Sequence, residues 1–82
     1  MKTYTKLDLE YRQEILDSLP IKLSNMIIDI VADGSRKSYI VEKRRAIITE
    51  LKDNFKFSFP KIGLLLMCDH STVISHYKKS KL

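Results

Sequence analysis

Apolar residues recur three or four positions apart through most of this chain. That period fits helices packed by one face and does not fit a half-buried strand, whose apolar residues alternate. Leu7, Tyr11, Ile15 and Leu16 make the first such run, with Asp8 placed to cap its start. It should close before Pro20, because the residue ahead of a proline is steered out of helical geometry. Leu23, Ile27, Ile30 and Val31 make a second run, with Gly34 positioned as its C-cap. The two predict a helical hairpin over residues 7–33.

GSRKS at 34–38 is a polar, basic connector. A longer helix is expected from about Tyr39 to Asp53. Ile40, Ile47, Ile48 and Leu51 share one face of it, with Lys43, Arg44, Arg45 and Lys52 on the other side. FKFSF at 55–59 is the one alternating stretch. It reads as a short strand, as an aromatic ladder for stacked bases, or as three core plugs; its shortness, the lack of a partner strand and Pro60 favour core plugs. Ser58, two residues before Pro60, marks a helix start, and Ile62, Leu65 and Leu66 should face inward. A final helix after Cys68 or Asp69 turns Val73, Ile74 and Tyr77 to the core. The expected fold is all-α: one domain over 1–82, about five helices, ending in a helix-turn-helix at 58–80.

Composition limits the function classes. Eighty-two residues, 44% of them hydrophobic, suit one modest core. No apolar run approaches the roughly 18 residues of a membrane span, and no signal-peptide pattern opens the chain. A single cysteine, Cys68, fits a reducing interior, so the expected location is cytoplasmic and nucleoid-associated. Residues 1–34 hold four Lys/Arg against six Asp/Glu, net −2, while residues 35–82 hold eleven against four, net +7. A basic back half suits a polyanion, or is a plain solvated lysine surface.

CDHSTVISHYKK at 68–79 sharpens that choice. A recognition helix needs short polar side chains at its front and an apolar back. His70, Ser71 and Thr72 can donate, accept or touch a thymine methyl, with Val73 and Ile74 behind them. Asp69, a carboxylate that phosphates repel, either caps the helix or accepts from a cytosine amino group. Gly63 inside a helix costs about 1 kcal/mol relative to alanine, so something approaches closely there, either the next helix or a DNA strand. Lys61 lies at the front of that helix, whose N-terminus favours phosphate.

FSFPKIGLLLMCDHSTVISHYKK resembles the signature of the C-terminal DNA-binding domain of DnaA, the bacterial replication initiator. The matching features are Ser58-Phe59-Pro60, Ile62-Gly63 and Asp69-His70-Ser71-Thr72-Val73. The resemblance covers about residues 43–79 and fades over 1–33. It implies base contacts from Asp69, His70, Ser71 and Thr72. It also implies phosphate contacts from Arg44, Lys52, Ser58 and Lys61, and a minor-groove contact from the loop of Arg36 and Lys37. Cys68 stands where the family has an arginine, and the turn is one residue shorter than in many members. With glycines only at 34 and 63, no nucleotide-binding P-loop can be written. A stand-alone regulator of replication or transcription is therefore expected, binding double-stranded DNA without ATPase activity.

Other chemistries fare worse. Asp69, His70 and Ser71 are consecutive and point about 100° apart on a helix, so they cannot form a relay, and no enzyme is expected. His70 and His76 land on different sides of their helix, with no Cys pair beside them, so no metal or cofactor is expected. Cys68 suits a small residue of the turn. Two alternatives stay open. The 7–33 hairpin can serve as a homodimer or partner face, which exposed Met26 or Ile28 would favour; Phe55, Phe57 and Lys56 can serve single-stranded nucleic acid.

Overall fold

Thr5, not Asp8, starts the first helix. The Thr5 hydroxyl oxygen accepts from the Asp8 amide at 3.1 Å, and the Asp8 carboxylate accepts from the Thr5 amide at 3.1 Å, a reciprocal pair that closes two end amides at once. Asp8 is thus the third helical residue rather than the cap. The computed structural model describes residues 4–33 and 38–81. Over them run α1 (Lys6–Ser18), α2 (Ile21–Asp33), α3 (Ser38–Asp53), α4 (Phe59–Leu66) and α5 (His70–Ser80). The chain is all-α, with no strand among the described residues. The expected Gly34 cap lies outside those residues.

α1 stops at Ser18 ahead of Pro20, and α2 begins at once. Buried Ser24 of α2 donates its hydroxyl to the Leu16 carbonyl at 2.5 Å, which fixes the hairpin without leaving a polar orphan. Ile15, Leu16, Ile27 and Ile30 are buried, whereas Leu7 is 77% exposed and Tyr11 49%. The stripe on α1 is therefore shorter than the spacing suggested. Between its apolar ends stands Arg12, whose Nε donates to the Leu65 carbonyl at 3.0 Å, so that face meets α4 through a polar contact.

α3 carries the middle of the core. Ile47, Ile48 and Leu51 are sealed from solvent together with Ile27, Ile62, Leu65 and Val73. Each such side chain contributes about 1.5–3 kcal/mol of transfer free energy. α3 ends in a tight turn: the Asn54 amide donates to Glu50 O at 2.9 Å and the Phe57 amide to Leu51 O at 3.1 Å. FKFSF forms no strand. Phe55, Phe57 and Phe59 are half-buried and packed on the core.

The α4–α5 pair is the fold's tightest joint. Ser58 caps α4, its hydroxyl oxygen accepting from the Lys61 amide at 3.4 Å, with Pro60 in the first turn. Met67 ends α4 in the left-handed region, φ 56°, and the Cys68 amide donates back to Gly63 O at 2.9 Å. Three residues, 67–69, separate the two helices. A β-carbon on Gly63 would lie 2.8 Å from Cys68 O and 3.4 Å from the His70 amide nitrogen. The close approach at Gly63 is made by the turn and the start of α5.

Candidate nucleic-acid interface

α5 shows two faces. Val73 is buried and Tyr77 half-buried on the inner one, where Phe59 meets the Tyr77 ring edge-on at 5.6 Å. His70, Ser71 and Thr72 are exposed at the front. Ser75, Lys78 and Lys79 continue that exposed side, one and two turns beyond Ser71. The outward stripe therefore runs the length of the helix from short polar groups to two lysines. Sequence reasoning stopped at Thr72; the four-residue spacing from Ser71 to Ser75 was the signal that extends it.

Asp69 occupies the N-cap position with β-region backbone, but its side chain makes no capping bond. The capping role expected for this carboxylate is not made, and Asp69 is exposed beside the first-turn amides. Its backbone does the capping work: Asp69 O accepts from the Thr72 and Val73 amides at 3.1 and 3.2 Å.

The cationic residues fall into separate groups. Arg44 lines a cleft of about 360 Å³ with Cys68 and Thr72, which puts its guanidinium beside the front of α5. Lys52 and Lys61 gather at the other end of α4. Lys52 Nζ sits 4.5 Å from the Phe59 ring centroid and Lys61 Nζ 4.0 Å from that of Phe57. Exposed Ser58 lies in the same cluster. α4 is eight residues long, so this cluster and Arg44 are separated by about 12 Å of helix. Lys43 and Arg45 do not join either group. Lys43 lines the α2–α3 seam, and Arg45 Nε donates to His76 Nδ1 at 3.5 Å. The basic side of α3 is thus split over two flanks. Arg36 and Lys37 lie outside the described residues.

Two contacts brace the turn from the chain's far end. The Tyr4 hydroxyl donates to Cys68 O at 2.8 Å and reaches Gly63 O at 3.2 Å, while Arg12 holds Leu65 O. At the other end of α5, Asp53 accepts from the Tyr77 hydroxyl at 2.7 Å and from Lys81 Nζ at 2.6 Å, which holds its carboxyl below the usual range. Burial, opposed by Arg44 and reinforced by Asp69, pushes the Cys68 thiol up, so it is a neutral packing group. The half-buried rings Phe55 and Phe57 lie tilted against one another at 5.8 Å rather than in an open ladder. Met26 and Ile28 are exposed.

Among the described residues no three His, Cys, Asp or Glu side chains gather in a metal-holding arrangement, and no helix is long and apolar enough to cross a membrane. The class these features define is an all-α protein with five helices among the described residues, the last two joined by a three-residue turn and α5 polar along its outer edge. Comparison of the chain with protein-family models, with curated proteins and with solved structures finds no match.

Proposed function

We propose that the chain binds double-stranded DNA through α4 and α5, as a stand-alone regulator of replication or transcription. The observation that carries this reading is the exposed edge of α5. Side chains of two to six heavy atoms project from a helix whose back is anchored by Val73, the combination that a major groove admits. In this reading Asp69, His70, Ser71 and Thr72 meet base edges, and Ser75 extends that contact. Arg44 holds a phosphate beside the turn, while Lys52, Ser58 and Lys61 hold phosphates at the start of α4. Lys78 and Lys79 add charge at the far end of the stripe. The resemblance of residues 58–73 to the DnaA signature supports the same assignment.

The test is selection from a pool of randomised duplexes, followed by anisotropy titration on the selected site. Changing His70 or Thr72 to alanine should cost about 1–3 kcal/mol there and flatten the preference for it. Equal losses on selected and random duplexes would take these residues off the bases. A chain that ignores duplexes in dilute salt would end the proposal.

A further inference from the structure

The α2–α3 seam is open to solvent and largely apolar. Near one end Pro20, Leu23, Ala46, Ile47 and Phe55 line a groove of about 370 Å³. Near the other, Ile30, Tyr39 and Ile40 line a second depression of about 230 Å³. Met26 borders both and is 42% exposed, a ridge between two hollows.

The charges along this seam form a pattern. α2 and α3 run in opposite senses, so the start of α2 meets the end of α3. At that end exposed Lys22 stands on the α2 wall and exposed Glu50 on the α3 wall. At the opposite end the signs reverse, with exposed Asp29 and Asp33 on α2 and exposed Lys43 on α3. The only ion pair among the described residues is Lys81–Asp53, so neither cation of the seam is paired with an acid across it. A checkerboard of this kind is complementary to a second copy turned over by a half-turn about an axis lying in the surface along the seam.

We infer that the seam is the interface of a homodimer, with a second copy of the chain as its occupant. A two-fold axis along the seam sets each α2 wall against the partner's α3 wall. Each copy's cations then face the other's anions, two pairs at either end. The same axis places each Met26 ridge over the small Ala46 position of the facing wall rather than ridge on ridge. Exposed residues on both walls lose apolar surface to water-free contact, and the charge pattern fixes orientation. α2 has 13 residues and is about 20 Å long, so the contact falls at the small end of specific interfaces and the dimer is a micromolar one. Arg45 and Thr49, which touch His76 and Ser80, lie on the flank of α3 away from Ala46 and Glu50. The outer edge of α5 is therefore left open in each copy.

Sedimentation equilibrium of the full chain from about 1 to 500 μM, with no nucleic acid present, tests the inference apart from DNA binding. The chain should pass from monomer to dimer across that range. Glu50→Lys, at an exposed position, should raise the dimer Kd at least about tenfold, since like charges then meet at both symmetric pairs. The swap Lys22→Glu/Glu50→Lys should restore it to within about threefold, with helical content by circular dichroism unchanged in both variants. Ala46→Glu should abolish the dimer while leaving the monomer folded. A monomer at every concentration, or a double swap no better than Glu50→Lys alone, overturns the inference.

Discussion

Gly63 shows how one missing side chain sets the joint between α4 and α5. A methyl group there would press on the Cys68 carbonyl, which the Tyr4 hydroxyl holds in place while the Cys68 amide is tied to Gly63 O. Gly63→Ala should destabilise the chain by about 1–3 kcal/mol in urea unfolding, overriding the helix propensity that alanine brings. A neutral or stabilising result would mean that the turn opens freely. That something crowds Gly63 was legible in the sequence, because glycine inside a helix carries a cost; whether the neighbour was protein or DNA was not. Met67 carried no signal at all. Glycine or asparagine usually marks a left-handed helix end, and a methionine held there by the residues around it cannot be read from its own chemistry. Asp69 was placed correctly at the start of α5, yet its expected bond is absent: an exposed carboxylate's rotamer is set by solvent and neighbours as well as by position.

For whole helices the apolar period was enough to give number, type and boundaries within a few residues. It misjudged which positions were covered. Leu7 and Tyr11 share a helical face with Ile15 but stay exposed, and a spacing argument has no term for where a neighbouring helix ends. Pairings between helices were equally hidden, as at α3 and α5. There His76 accepts from Arg45, and burial, then Arg45, Arg44 and Lys79, hold the imidazole below its ordinary value of about 6.5. The folded chain therefore prefers the neutral ring, while the unfolded chain takes up a proton near pH 6.5. Stability from this site is complete above that pH and declines as pH falls through it toward the lower folded value. Unfolding in urea at pH 7.5 and pH 5.5, the latter above the carboxylate range, should show the loss, and His76→Asn should reduce it. An equal loss in the variant would clear His76 of the effect.

On the molecular scale the charge split visible in the sequence survives in the fold, though not as one basic face. Arg44 sits at the α4–α5 turn and Lys52 at the far end of α4, so the proposed DNA contact is spread along the helix pair. Alanine at either position should lower the slope of log affinity against log salt by about one unit, measured by anisotropy on one fixed duplex. An unchanged slope would remove that residue from the contact. The front third of the chain was the least legible part. Beside its apolar contribution to the core, it reaches the back through two carbonyl-capping side chains, Tyr4 and Arg12, and neither residue type at its position announces such a task.

Tyr4 meets residues 59 and 64 places further along, so segments far apart in sequence must find one another before these bonds form. A loop that long forms slowly relative to helices and short turns. During synthesis the hydroxyl waits until Gly63 and Cys68 have left the ribosome, and a chain without Tyr4 has lost this latch on the α4–α5 turn. The geometry of the α4–α5 turn is thus fastened by a residue 59 and 64 positions before its partners.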